Sequence, residues 1–384
     1  MSGTATAPGE AALTLLAWAE ARDWRGHDPF DLLLSPFAAP LRPFRWPSVV
    51  WTQIGRRLPW DLRHLLAVPP HENPKALALG VMGCLDLGRA GSTEGARGWA
   101  PLARRLLGSQ GSDGGWGYPF PWANRHFKVP AGTPSGVVTA FVTQALVQVP
   151  EEGGKADRVM KAEAGEALLR GADFVHTRLR RIPTPHGPLL SYTPLDRRAV
   201  HNASVLAAAV LARGAVTPGG ESAWAGEARA VAHATLAAQR SDGSWPYGTS
   251  GRDAFVDSYH TGYVLAALAE VDARVGLPGT EEALRRGYAY WKEAFLGGPA
   301  VGPAPATPYP VDLHGVAQGI LTLLDFGDRD RAHRLATWAL AHARREDGAF
   351  VFTWSPGRVN RIAYLRWVQA WMFRALAALE ASGA

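Results

Sequence analysis

Asp253, Asp257, Tyr259 and His260 fall within eight residues of one another in "DAFVDSYH", immediately ahead of an apolar run. Two carboxyl groups about 5 to 10 Å apart, one protonated and one ionised, are what glycoside hydrolysis needs. A histidine, titrating near neutrality, can instead take a proton from a sugar carbon and return it, the step an epimerase or lyase requires. Asp257 also has a plainer use, as N-cap of a helix starting at Ser258. Asp28 and Asp31, in "DPFD", form a second carboxylate pair, with loop capping as the alternative.

His201, His260 and His314 each open an apolar run. At equivalent positions of a ring they would face one volume, with Tyr259 or His314 completing proton transfer around Asp257 and His260; one such histidine alone would be a satisfied structural residue. No H-x-x-x-H or H-E-x-x-H spacing accompanies them, so neither a metal nor a cofactor is expected. Lys75, Arg125, Arg197 and Arg366 suit a carboxylate or phosphate on the ligand. Their alternatives are an Arg197–Asp196 pair and an Arg366 that closes the last hairpin. Asn202 and Gln318, polar on apolar helices, would orient hydroxyls. Trp116, Tyr118, Trp122, Trp245, Tyr247, Tyr364 and Trp367 offer flat faces for pyranose rings, or else fill seams between helices.

What must position these groups is helical, because apolar residues recur with a 3.6-residue period and alternating runs are nearly absent. Six segments, starting at 73, 133, 201, 260, 314 and 366, are apolar nearly all round and so must be buried on every side. Six amphipathic helices, near 9–22, 93–107, 161–178, 222–239, 280–294 and 328–344, alternate with them. Asn73–Pro74 and Thr133–Pro134 read as N-cap and first helical residue, and Thr280 and Asp328 as further caps. Apolar helices inside and amphipathic helices outside bury both kinds, which describes an all-α (α/α)6 toroid over residues 9–384, with 1–8 as a loose tail. The outer-to-inner connections are long and polar, so the chemistry-bearing residues gather at the N-terminal ends of the inner helices. Those ends carry free amides and a partial positive charge that favours an anionic group.

Gln110–Trp116, "QGSDGGW", and Gln239–Trp245, "QRSDGSW", share the pattern Q-x-x-D-G-x-W, and Arg344–Phe350, "RREDGAF", is a degenerate third copy. Glycine for a positive-φ turn, aspartate for nearby amides and an aromatic plug make these turns structural. They resemble the QW repeats of squalene-hopene and other triterpene cyclases, whose α/α barrel prenyltransferases share. The D-x-D-D and D-D-x-x-D acids of those enzymes are missing, and Cys84 lies on the wrong kind of segment for the zinc of protein prenyltransferases. Longer blocks, including "GHDPFDLLLSPF", "NPKALAL", "SYTPLDRRAVHNAS", "FVDSYHTGYVL" and "YLRWVQAWMFRAL", resemble a family of bacterial proteins of surface-polysaccharide and exopolysaccharide clusters. That resemblance implies work on glycans, and at fold level it joins the (α/α)6 glycosidases, polysaccharide lyases and sugar epimerases.

Composition narrows the classes further. The single cysteine excludes an internal disulfide, and its apolar neighbours make it a buried thiol. No stretch has the roughly 20 apolar residues of a bilayer span, and the N-terminus lacks the pattern of a secretory signal, so a cytoplasmic location is expected. The formal charge of +6 is scattered, which argues against nucleic acid as partner. The expected activity is that of a glycoside hydrolase or a polysaccharide lyase or epimerase on an acidic oligo- or polysaccharide. The alternatives are a non-catalytic glycan-binding scaffold and an isoprenoid-handling protein; oligomeric state does not follow from these residues.

Overall fold

The computed structural model describes residues 7–124, 128–150 and 155–383. Its helices are α1 (Pro8–Glu20), α2 (Arg45–Arg57), α3 (Pro74–Arg89), α4 (Thr93–Gly108), α5 (Gly136–Leu146), α6 (Lys155–Arg178), α7 (His201–Val216), α8 (Ser222–Ala237), α9 (Ser258–Val275), α10 (Thr280–Phe295), α11 (Leu313–Asp325), α12 (Arg329–His342) and α13 (Ala370–Ala381). All six apolar segments and all six amphipathic segments are present, and α2 is the helix that periodicity does not announce. Of the expected tail, residues 1–6 lie outside the described residues, and Pro8 already opens α1. Short antiparallel pairings, such as 181–184 with 187–190, decorate the long connections. Inner-to-outer turns are brief, as from Val216 to Ser222, whereas outer-to-inner connections run as far as from Glu20 to Pro74.

Caps show where local chemistry sets the ends. Asn73 accepts from the Lys75 amide and Asp328 from the Arg331 amide, as their residue types predict. Two starts differ from expectation. Helix α5 begins after Ser135, whose hydroxyl accepts from the Val138 amide, rather than at Thr133. Helix α10 has Gly279 as its cap at φ 85°, while the Thr280 hydroxyl bonds back to the Leu277 carbonyl.

The chain groups into two compact units, with the boundary inside α4. The first comprises the chain up to Leu102, Gly117–Thr133 and Tyr309 onward. Within it α13 packs on α1, α3 and α11, and α11 on α12. Asp86 on α3 pairs with Arg374 on α13 and with Arg89, so α3 and α13 are held by charge as well as by apolar burial.

The second unit comprises Ala103–Trp116 and Pro134–Pro308. Its apolar helices α5, α7 and α9 lie side by side, and α6, α8 and α10 cover them. Arg213 of α7 is buried and donates to the Ala140 carbonyl (2.7 Å), the Thr143 hydroxyl (2.9 Å) and Glu270 of α9 (2.7 Å), tying three inner helices together. Burial alone would raise the Glu270 carboxyl, but the Arg213 charge and hydrogen bond bring it below its ordinary value. Removing one partner of such a buried pair costs about 3–5 kcal/mol.

The repeated turns are structural joints. Gln110 donates to the Gly114 and Ala167 carbonyls (2.7 and 2.8 Å), and Gln239 repeats this with Gly243 and Ala283 (3.0 and 2.8 Å). Each glutamine thus closes its own turn and staples it to the next outer helix. Gly114 and Gly243 stand at φ 87° and 91°, and a Cβ on either would collide with the Arg170 or Arg286 carbonyl. The fully buried Trp116 and Trp245 donate their indole N–H to the Leu106 and Thr235 carbonyls at the ends of α4 and α8.

Candidate functional site

In the second unit the chemistry centres on the first turn of α9. Asp257 precedes the helix with extended backbone, and its Oδ1 accepts from the His260 amide at 2.9 Å. Its Oδ2 lies 2.6 Å from the His260 ring Nδ1. One carboxylate therefore caps the helix and orients the imidazole, and the two uses read from the sequence coexist. Holding the proton on Nδ1 leaves Nε2 as the basic nitrogen. Both side chains keep some solvent access, 13% for Asp257 and 21% for His260.

Aromatic rings fix that imidazole. Tyr259 and Tyr247 lie 4.2 and 4.7 Å from it between centroids, and Tyr263 at 6.0 Å. Tyr247 stacks on Phe255 at 4.8 Å because the intervening loop folds back, with the Tyr247 amide donating to the Phe255 carbonyl (2.8 Å). The Tyr247 carbonyl in turn accepts from the His201 amide (2.9 Å), so the first turns of α7 and α9 are joined through one residue. His201 is buried, which pushes its pKa down to about 4, with His186 nearby adding to the effect. Its Nδ1 and the Oδ1 of the adjacent buried Asn202 have no hydrogen-bond partner among the described residues. An unmet buried polar atom of this kind costs about 1–3 kcal/mol.

Other candidates in this unit are engaged in the fold. Asp253 is buried against Arg198 and the Ser250 hydroxyl (2.5 Å). Asp196 accepts from the Tyr192, Thr193 and Arg198 amides, which shapes its loop, and Arg197 beside it is exposed. Trp116 and Trp245 are seam plugs rather than ligand faces.

The first unit gathers a different set. Asp28 and Asp31 have no exposed surface. Asp28 accepts from Arg366 (2.5 Å), Asp31 from Arg63 (2.6 Å) and from the Asp28 amide (2.8 Å). Arg63 also donates to the Asp28 carbonyl (2.7 Å) and to the hydroxyl of the buried Tyr364 (2.9 Å). Burial would raise the Asp31 carboxyl, yet His27, Arg63 and His71 lower it below its ordinary value. This network is a buried bracket that positions its neighbours, and Tyr364 belongs to it rather than to a ligand face.

Those neighbours are basic and aromatic. Arg366 lies over Tyr118 (5.1 Å) and Trp367 (4.8 Å). The Trp367 indole donates to Asp312 (3.1 Å), which also caps α11 through the His314 amide (3.0 Å). His314 sits between Trp367 and Trp371 at 4.5 and 4.7 Å, and the Lys75 ammonium lies 5.0 Å from the Trp371 ring. Burial holds the Lys75 amine well below its usual pKa, Arg366 adds to this, and Asp28 opposes it. Arg366 and Trp367 lie in a π-helical turn, Leu365–Gln369, that leads into α13; such turns recur at functional sites.

Gln318 bonds Thr322 on its own helix (3.2 Å), Trp122 is half-buried in a two-residue pairing with 128–129, and Arg125 lies outside the described residues. Sequence reasoning misses Arg63, Asp312, Tyr263 and Trp371. Trp371, one helical turn beyond Trp367, is findable from its spacing; Arg63, in "DLRHLL", carries no signal. Among the described residues no group of three or more His, Cys, Asp or Glu is arranged for a metal ion, and no helix is long and apolar enough to cross a membrane.

No protein-family model matches the chain, and no curated protein matches it in sequence. Solved structures do. A cellobiose 2-epimerase from Bacillus thermoamylovorans superposes with a TM-score of 0.60 at 9% identity, over 83% of this chain and 90% of that one. An unsaturated glucuronyl hydrolase from Bacillus sp. GL1 gives 0.57 at 14% identity, over 96% and 94%. A D-mannose isomerase gives 0.54 at 10% identity, over 80% and 87%. The fold is an all-α (α/α)6 toroid. At these identities the likeness concerns the fold, and residue roles have to come from the chain's own geometry.

Proposed function

We propose that this chain is a sugar-active enzyme that moves a proton at a sugar carbon, with His260 as the base and Asp257 as the residue that orients it. The observation that carries the reading is the 2.6 Å contact between Asp257 Oδ2 and His260 Nδ1 on a partly open imidazole. Nε2 takes a proton from a carbon beside a carbonyl or carboxylate, and the electron pair moves onto the adjacent oxygen. Return of a proton re-forms the C–H bond, and return to the opposite face inverts the centre. Such a positioned base contributes roughly 10²–10⁴-fold.

Proton transfer is favoured over glycoside hydrolysis by what the carboxylates are doing. Hydrolysis needs two available carboxyl groups, whereas Asp253 is held by Arg198, and Asp28 and Asp31 by Arg366 and Arg63. The superposition on a cellobiose 2-epimerase and a D-mannose isomerase, and the resemblance to polysaccharide-cluster proteins, support a saccharide substrate. Exposed Arg197 favours an acidic one.

The test is incubation with aldoses, cellobiose and short uronate oligosaccharides in D₂O. The expected result is solvent deuterium in recovered or inverted sugar, lost in His260→Ala. New reducing ends without deuterium would replace this reading by a hydrolase. Tight binding with neither outcome would leave a glycan-binding scaffold.

A further inference from the structure

Helix α2 is turned inside out relative to an ordinary surface helix. Its buried residues are the small Ser48, Thr52 and Gly55, while Trp46, Val50 and Ile54, spaced four apart, are 55%, 55% and 54% exposed. The inward face is specified by fit: Ser48 and Thr52 bond backbone carbonyls, and a Cβ at Gly55 would collide with the Leu32 side chain. The outward stripe is therefore not a core face that missed its partner within the fold. Among the described residues, eleven large apolar side chains are exposed, and seven of them fall between residues 37 and 65. Exposed Phe44 and Trp60 extend the stripe at either end of the helix. A patch of this concentration marks an interaction surface.

Charge selects the partner. From Leu32 to Trp60 the chain has no Asp or Glu, but it has Arg42, Arg45, Arg56 and Arg57. Arg45 and Arg57 are exposed on α2 itself. A second copy docking through the same stripe would set these cations against one another with no acid in the segment to neutralise them. A surface that is apolar at depth and anionic at its boundary satisfies both components. Beside Ile54 a small apolar cavity of about 130 Å³, walled by Leu32, Trp51, Leu58, Trp60 and Leu66, offers room for hydrocarbon.

We infer that α2 is an interfacial helix that seats the protein on an anionic lipid bilayer, with Trp46, Val50 and Ile54 in the acyl boundary and the arginines at the headgroups. This surface is independent of the sugar chemistry assigned to His260.

Cosedimentation of the full chain with vesicles tests it. Binding is expected to phosphatidylcholine vesicles containing phosphatidylglycerol, to fall with added salt, and to be far weaker on phosphatidylcholine alone. Arg45→Ser and Arg57→Ser should each lower the partition coefficient about fivefold, and Trp46→Ser with Ile54→Ser by roughly tenfold or more, with the far-ultraviolet circular dichroism unchanged. The arginine variants leave the apolar stripe intact, so they remain informative if the apolar pair fails to fold. Absence of vesicle binding, binding indifferent to these substitutions, or a wild-type dimer that Ile54→Ser dissociates would overturn the proposal.

Discussion

Two regions of this molecule carry carboxylates near histidines, and they use them in opposite ways. In the first unit Asp31 is fully buried, with Arg63 at 2.6 Å and His27 and His71 nearby. In the second unit Asp257 meets His260 at a comparable 2.6 Å, but both keep solvent access. The short contact is common to both; the difference lies in what else satisfies the carboxylate. A carboxylate closed in by a guanidinium has its negative charge neutralised and serves the fold. One that meets a histidine ring and that residue's own amide fixes the orientation and tautomer of the ring, which serves proton transfer.

The sharpest way to break this contrast is Asp257→Asn. Asparagine still caps a helix about as well as aspartate, so the melting temperature should stay nearly unchanged. Turnover should fall by about 10²–10⁴-fold, because the amide no longer holds the imidazole in the required tautomer. A large loss of stability with modest loss of rate would return Asp257 to the role of cap.

Next in size is the mirror experiment in the first unit. Asp31→Asn leaves the buried Arg63 with only the partly exposed Asp61 at 3.4 Å as a charge partner and should cost about 3 kcal/mol in denaturant unfolding. A cost under about 1 kcal/mol, the range of exposed pairs, would show that the bracket is not structural.

The third effect concerns His201 and pH. Its pKa is about 4 in the fold against an ordinary 6.5, so on acidification the unfolded chain takes up the proton first. Stability is therefore lost as pH falls from about 6.5 towards 4, by up to about 3 kcal/mol. His201→Gln should flatten that part of the profile relative to the parent, and equal slopes in the two proteins would contradict the burial argument.

The fold is legible in the sequence to a degree that the site is not. Helices apolar on every side, such as the one holding "HNASVLAAAVLAR", can be stable only when surrounded, and amphipathic partners at regular intervals supply the surroundings. Helix α2 escapes such a reading because its buried face is Ser48, Thr52 and Gly55, the reverse of the usual pattern. The turn glutamines and tryptophans are readable as joints because they recur. Within the site, residue type identifies Asp257 and His260 but ranks Asp253 beside them, and only the tertiary pairing with Arg198 takes Asp253 out of the chemistry.

What the amino-acid order determined by itself is the set of helices, their inner or outer character and the joints between them, because periodicity, capping and turn conformation are local properties. What only the tertiary structure decided is which polar groups are spent and which are spare. Asp28 and Asp31 are neutralised by Arg366 and Arg63, and Asp253 by Arg198, all distant in the chain, while His201 and Asn202 keep unmet polar atoms. Pairing of that kind depends on distances in space and on the exclusion of water, and neither is written in the spacing of residues along the chain.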